Sequence, residues 1–264
     1  MRAKRLLGQN FLKDAVVVDR IVSSLKLSAG ETVIEIGPGR GALTEQLLKT
    51  GANVVAIELD RQLVPVLRTQ FLFEPNFSVI EADVLETDLQ TVVGSDKDGR
   101  TKLVGNLPYY ISTAILQKLA VERRSFEKIV LMLQREVVDR ITASPGSSER
   151  GFLTVMCEAA FEIERLVDVP PTAFTPQPKV WSAVIALKPK LASAGDGDAF
   201  RRLVSIAFAQ KRKTILNNLR VVIKNAEAIL EAANVDPRRR AETLTLEEWF
   251  LLKATHDSQL RTRD

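Results

Sequence analysis

Asn106-Leu107-Pro108-Tyr109 closes a short apolar run and puts an amide, an aliphatic group, a rigid ring and a phenol side by side. The Asn106 side-chain oxygen and the Leu107 carbonyl can both accept hydrogen bonds from an amine. Pro108 stiffens the turn that holds them, and Tyr109 offers a flat face on which a nucleobase can stack. The set suits an exocyclic aromatic amine such as that of adenine, whose nitrogen lone pair is delocalised into the ring. Acceptors aimed at the amine hydrogens favour the tetrahedral geometry from which that nitrogen attacks. If the electrophile is a methyl group on a sulfonium, displacement proceeds in line, and positioning and electrostatics carry the reaction. A plain Asn-Pro turn is the competing reading for a tetrapeptide this short.

Upstream, Glu35-Ile36-Gly37-Pro38-Gly39-Arg40-Gly41-Ala42-Leu43-Thr44 follows another apolar run and opens a helical pattern. Gly37 and Gly39 permit a tight turn and close approach of the main chain to a ligand. The helix N-terminus adds free N–H groups. Glu58, ending the next apolar run, can accept both hydroxyls of a ribose. Asp83, after the following run, can meet an adenine amine. Gly37, Gly39 and Ala42 also satisfy the loose G-x-G-x-x-G/A dinucleotide pattern, so the loop by itself leaves S-adenosylmethionine and NAD both open. An NAD-dependent oxidoreductase would lack an obvious proton donor and would leave residues 106–109 unexplained.

Other residue types narrow the chemistry. The chain of 264 residues has one histidine, His256, and one cysteine, Cys157. A disulfide within the chain and a cysteine-based metal cluster are excluded. Zinc chemistry and Ser–His or Cys–His catalysis lack their groups, and no metal is expected. Cys157, in an apolar stretch, reads as a small buried hydrophobe. The net charge is +4, and its clustering says more than its size. Arg2, Lys4 and Arg5, then Lys211, Arg212 and Lys213, then Arg238, Arg239 and Arg240 form basic runs. Each is a candidate for phosphate contact, or alternatively a solvated helix end. No apolar stretch approaches the ~20 residues of a membrane span, and no signal-peptide core follows the basic N-terminus. A cytoplasmic protein is expected.

The elements that must hold these residues follow a regular pattern. Runs rich in Val and Ile at residues 32–36, 53–57, 77–80, 102–105 and 128–133 have the length of buried strands. Helical patterns lie at 42–49, 61–71 and 113–121, with another ahead of them at 15–25. This alternation predicts an α/β fold with a parallel sheet covered on both faces. Closing strands are expected at 162–169 and 180–187. Residues 188–199, rich in Pro, Gly, Ser and Asp, read as a linker. Helical patterns then dominate at 200–209, 214–222, 226–233 and 246–253. Two domains are expected, 1–189 and 198–264. In an open parallel sheet ligands bind beyond the carboxyl ends of the strands, where the glycine loop, Glu58, Asp83 and residues 106–109 all lie.

These motifs, in this order, resemble the ribosomal RNA adenine dimethyltransferase family of the KsgA/RsmA kind, over nearly the whole chain. Gly8-Gln9-Asn10-Phe11-Leu12 is similar to its N-terminal signature, in which Asn10 and Leu12 would line the cofactor site. Residues 35–44 match its glycine loop, Glu58 its ribose acid, Asp83 its adenine-side acid and residues 106–109 its catalytic tetrapeptide. Phe174-Thr175-Pro176-Gln177-Pro178-Lys179-Val180 resembles its F-x-P-x-P-K-V motif, and Phe174 would stack on the target base opposite Tyr109. Residues 207–214, carrying Lys211, Arg212 and Lys213, resemble its C-terminal, RNA-contacting signature. Glu81-Ala82-Asp83 departs from the Gly-Asp-Ala type sequence often found there, with the acid retained.

The resemblance implies a Rossmann-like class I methyltransferase sheet with a small all-helical domain that contacts RNA or the ribosome. It implies S-adenosyl-L-methionine as cofactor and S-adenosyl-L-homocysteine as product. The reaction would be dimethylation of the N6 amines of two adjacent adenosines in the 3′-terminal hairpin loop of small-subunit (16S) rRNA. The substrate would be the immature small subunit during ribosome biogenesis. Nothing demands an oligomer, and a monomer is expected. The rivals are a large-subunit rRNA adenine dimethyltransferase of the Erm kind and a non-catalytic assembly factor. The helical C-terminal part and its basic signature argue against the first. Intact Gly37, Glu58, Asp83 and Asn106 argue against the second.

Overall fold

A computed structural model describes residues 10–93 and 101–261, the side chains of 259–261 excepted. Gly8, Gln9 and the N-terminal basic residues Arg2, Lys4 and Arg5 lie outside the described residues. The chain divides into two compact units, the first running to Val138 and resuming over Phe161–Leu191, the second comprising Asp139–Ala160 and the chain from Ala192.

In chain order the elements are β1 (Phe11–Leu12), α1 (Ala15–Leu25), β2 (Thr32–Ile36), α2 (Ala42–Lys49), β3 (Asn53–Glu58), α3 (Leu63–Gln70), β4 (Phe77–Glu81), α4 (Leu89–Val93), β5 (Lys102–Asn106), α5 (Ser112–Glu122) and β6 (Lys128–Gln134). These are followed by α6 (Arg135–Ile141), α7 (Phe152–Ala160), β7 (Phe161–Val169), β8 (Phe174–Thr175) and β9 (Ser182–Pro189). The helical unit adds α8 (Asp198–Ala207), α9 (Ile215–Leu219), α10 (Ala226–Ala232) and α11 (Leu246–Arg261).

Seven strands form one sheet in the order β4-β3-β2-β5-β6-β9-β7. The first five pair in parallel, and β9 runs antiparallel to both β6 and β7. The central strands are apolar on both faces because helices cover both. Val33, Ile34, Leu103, Val104 and Ile129–Leu133 are all buried. The chain winds outward from β2 to β4 and then returns to β5, so the order reverses between β2 and β5. That switch point opens a crevice at the carboxyl ends of the two strands.

α1 is fixed at both ends. Asp14 caps it by accepting from the main-chain N–H groups of Val16 and Val17, and Val17, Val18, Ile21, Val22 and Leu25 form its buried stripe. The ammonium of Lys102 donates to the Lys26 carbonyl, and that of Lys128 to the Ser24 carbonyl. Two strand lysines thus satisfy the carbonyls that the helix end leaves open. They do so at the amino edge of the sheet, opposite the crevice.

Two features differ from the pattern read in the sequence. A separate two-stranded ladder pairs β1 with β8, placing Phe11 opposite Thr175 and Leu12 opposite Phe174. The boundary expected at residues 189 and 198 also changes, because residues 139–160 belong with the helical unit. The reason is packing: Val155 and Ala159 of α7 are buried in one core with Phe200, Leu203, Val204, Leu230 and Trp249. Among the described residues no helix is long and apolar enough to cross a membrane.

Candidate active site

Close approach of β2 and β5 builds the crevice, and glycines make it possible. A Cβ on Gly105 would lie 2.9 Å from Leu107 Cδ2 and 3.0 Å from the Ile36 carbonyl oxygen. Gly39 has φ 59°, and a Cβ there would meet the Phe11 ring at 3.1 Å. The two loops touch: a Cβ on Gly37 would sit 3.9 Å from the Asn106 carbonyl oxygen. One pocket is lined by Asn10, Phe11 and Leu12, by residues 35–40, by Glu58 and Asp83, and by residues 106–111.

Three carboxyl groups face this pocket. Glu58 ties the glycine loop to β3: one oxygen accepts from the Gly39 N–H at 3.1 Å and the other from the Asp60 N–H at 2.8 Å. Burial raises its pKa, against the opposing pull of these main-chain donors. Glu35 is 1% exposed and accepts from the Thr44 hydroxyl at 2.6 Å. Burial pushes its carboxyl up to about 7, with the Thr44 bonds opposing and the neighbouring Glu58 charge reinforcing. Asp83 uses one oxygen to accept from the Leu85 N–H at 2.8 Å, which shapes the turn after β4. At the rim the Arg40 guanidinium lies 4.5 Å from the centroid of the Phe11 ring.

This donor set fits a nucleoside that carries positive charge. Carboxylates suit ribose hydroxyls, an adenine amine and a cationic centre. A pyrophosphate would instead face three acids, and the Gly39 N–H that it needs is already held by Glu58. A sulfonium nucleoside is therefore a better electrostatic match than a dinucleotide. Among the described residues no group of three or more His, Cys, Asp or Glu side chains could hold a metal ion. Cys157 is buried, and that burial pushes its thiol up to about 12; it packs as a small hydrophobe.

The loop after β5 is tethered on every side. The Asn106 side-chain nitrogen donates to the Asn10 carbonyl at 3.1 Å. A carbonyl can only accept, so this bond settles the orientation of the amide and turns its oxygen the other way. The Leu107 N–H donates to Met132 O at 3.1 Å, and the Ile111 N–H to Pro108 O at 3.2 Å. The Ser112 hydroxyl donates to Tyr109 O at 3.1 Å. The Tyr109 and Ser182 hydroxyls share a hydrogen bond of 2.7 Å. Burial raises the Tyr109 pKa, with the bond to Ser182 opposing.

Asn10, Leu12, Gly37, Gly39, Glu58, Asp83, Asn106, Leu107, Pro108 and Tyr109, ten positions singled out in the sequence, all line this pocket. Phe174 does not. It is 1% exposed and packs in the main core with Leu12, Val130, Val169 and Ala173. Pairing of β8 with β1 turns the ring inward, so the expected stack on a target base opposite Tyr109 is corrected to a core contact. Lys211, Arg212 and Lys213 are exposed on the loop between α8 and α9. Buried Asn218 holds that loop by donating to Ala207 O at 2.6 Å and Gln210 O at 3.2 Å. The run 238–240 is charge-paired: Arg239 bridges Glu248, Arg238 meets Asp236 at 3.3 Å and Arg240 meets Glu242 at 4.0 Å. Its value as a phosphate contact falls accordingly. Sequence reasoning gave no role to Glu35, Phe11 or Tyr110, which line the pocket, nor to Ser182. For Glu35 and Ser182 the signal was present, a polar residue inside an apolar strand.

Sheet order, crevice and glycine loop together define a class I methyltransferase. A family model described as "Ribosomal RNA adenine dimethylase" matches residues 1–255, and the chain belongs to this family. It is 42% identical over 260 residues to the "Ribosomal RNA small subunit methyltransferase A" of Geobacter sulfurreducens, covering 96% of this chain and 94% of that one. The protein of the same description from Hahella chejuensis is 44% identical over 251 residues, covering 94% and 90%. A dimethyladenosine transferase from Plasmodium falciparum superposes with a TM-score of 0.81 at 26% identity, covering 94% of this chain and 98% of that one. The 23S rRNA methyltransferase ErmE gives a TM-score of 0.69 at 28% identity, with 94% and 100% covered.

Proposed function

We propose that this chain dimethylates the N6 amines of two adjacent adenosines in the 3′-terminal hairpin loop of small-subunit (16S) rRNA. It would use S-adenosyl-L-methionine, release S-adenosyl-L-homocysteine, and act as a cytoplasmic monomer on the immature small subunit during ribosome biogenesis. The observation that carries this reading is the Asn106 amide, locked by Asn10 with its oxygen free to accept, beside a pocket of three carboxyls. The names of the 42–44% identical relatives support the small-subunit substrate.

In this reading Glu58 holds the ribose hydroxyls and Asp83 the adenine amine of the cofactor. Gly37 and Gly39 give its chain a close main-chain bed, and Asn10 and Leu12 cover it. Glu35 adds negative potential beneath a cationic ligand. When bound, the cofactor supplies a sulfonium methyl as electrophile. Asn106 Oδ1 and the Leu107 carbonyl accept from the target amine and favour its tetrahedral form. Tyr109 stacks on the flipped base, and the buried Leu107 side chain keeps water from the reacting atoms. Lys211, Arg212 and Lys213 grip RNA phosphates.

The test is transfer of labelled methyl to small subunits lacking the modification, followed by nucleoside analysis. Dimethyladenosine at two adjacent small-subunit positions is expected. Label confined to large-subunit RNA would point to an enzyme of the Erm kind instead. Tight binding to the particle with no label in either would point to an assembly factor.

A further inference from the structure

We infer that Ser182 is a positioning residue for the transfer: its hydroxyl holds the Tyr109 ring in the plane on which the target adenine stacks. The inference rests on the role proposed above for Tyr109, and three observations carry it.

The first is chemical. Residues 182–187 of β9 read Ser-Ala-Val-Ile-Ala-Leu and are all buried, so Ser182 is the one polar side chain of this run. Such a hydroxyl needs a partner, and the Tyr109 hydroxyl supplies it at 2.7 Å. The second is mechanical. Ser182 pairs with Gln134 of β6 on one side and with Val169 of β7 on the other. Its backbone is therefore fixed by two neighbours, and only one side-chain torsion remains. Tyr109, in contrast, sits in a loop, where two torsions would leave the ring free to swing. Ser112 holds its main-chain carbonyl and Ser182 its hydroxyl, so the residue is held at its backbone and at the far end of its ring.

The third is geometric. Tyr109 follows β5, Ser182 opens β9, and β6 lies between them. With strands about 4.8 Å apart, the phenol reaches across the carboxyl end of β6. The ring thus lies along the edge of the sheet as a fixed wall of the crevice. Burial raises the pKa of the phenol, which keeps its proton through the neutral range. Orientation matters most for the second transfer. The amine then carries one methyl already, and fewer base poses present its remaining hydrogen to Asn106. A ring released from Ser182 should impair the second methylation more than the first.

The experiment is a double-mutant cycle on kcat, with Ser182→Ala, Tyr109→Phe and the double variant assayed on small subunits lacking the modification. Ser182→Ala should lower kcat about tenfold, the rate equivalent of one hydrogen bond. It should leave S-adenosylhomocysteine affinity unchanged and raise the ratio of monomethyl to dimethyl product. The double variant should be no slower than Tyr109→Phe alone, and Ser182→Thr, which keeps the hydroxyl, should restore dimethylation. Additive losses, or a lowered unfolding midpoint with kcat and product ratio unmoved, would overturn the inference and leave Ser182 a packing residue. The wild-type protein in the same assay reports on the functional reading separately. If its label falls on large-subunit RNA, the substrate assignment fails, and the same cycle run on that RNA still decides the role of Ser182. No label on either RNA overturns both.

Discussion

The Asn106 side-chain nitrogen donates to the Asn10 carbonyl at 3.1 Å, across 96 residues of sequence. The residue just ahead of β1 thereby sets the orientation of the amide that ends β5. β1 holds this residue in place through its ladder with β8, so two short strands outside the main sheet govern a group at its active edge. Asn106→Ala should lower kcat on the order of 100-fold, as for loss of one preorganised hydrogen-bonding group, while leaving RNA affinity nearly unchanged. Asn106→Asp should be similarly impaired, because a carboxylate cannot donate to the Asn10 carbonyl. Single-turnover methyl transfer alongside an RNA-binding titration checks both; an Asn106→Ala variant with full activity would remove the acceptor role.

Glu58 connects the cofactor pocket to the backbone of its own loop. It accepts from Gly39 and Asp60 at once, so its carboxylate is pre-positioned at the end of β3. Glu58→Ala should weaken S-adenosylhomocysteine binding by roughly 1–3 kcal/mol, the range for a lost charge-assisted hydrogen bond. Calorimetric titration measures this directly. Unchanged affinity would take Glu58 out of the site.

Glu35 predicts a pH dependence of definite sign. Its carboxyl is pushed by burial from 4.5 to about 7, so between these values the folded chain keeps a proton that the unfolded chain has released. Stability should therefore be greatest below about pH 4.5 as far as this group is concerned, fall as pH rises toward 7, and level off above. The whole effect is on the order of 3 kcal/mol. The raised pKa of Glu58 acts in the same direction. A cationic ligand favours ionised Glu35, so cofactor affinity should rise as pH climbs through 7. Glu35→Gln should flatten both trends. Urea midpoints and cofactor titrations at several pH values test this, and slopes identical to wild type would show that Glu35 does not titrate in this range.

How much of this was legible in the sequence depended on whether local pattern decided the outcome. β2 and α2 fall where the apolar runs and helical periodicity predicted, because burial on both faces and an amphipathic stripe are written locally. β1 and β8 carry no such pattern. Each is two residues long and exists only because a partner 162 or 164 positions away meets it, as Phe174 meets Leu12 and Thr175 meets Phe11. The same pairing decided Phe174: an aromatic in a proline-rich turn can stack on a ligand or fill a core, and sequence spacing does not distinguish the two. Residues 139–160 escaped for a related reason. α6 begins directly after β6 without a glycine or proline to mark the change, and α7 joins a core whose other buried members lie from Phe200 onward.

The two basic runs of the helical unit should respond differently to substitution, although their sequences look alike. Lys211, Arg212 and Lys213 are exposed on a loop that Asn218 anchors, and no ion pair of theirs occurs among the described residues. Reversing all three charges should weaken RNA binding and lower the slope of log K against log salt by roughly 2–3, at about 0.7–0.9 for each phosphate no longer neutralised. Asn218→Ala keeps the charges but releases the loop, so it should weaken binding while leaving more of the slope intact. Arg239 is held by Glu248 and Thr243. Arg239→Ala should accordingly lower the unfolding midpoint and leave the salt slope in place. RNA titrations at several salt concentrations, paired with thermal unfolding of each variant, separate the two roles. A triple reversal that leaves the slope unchanged would mean that residues 211–213 do not touch phosphate.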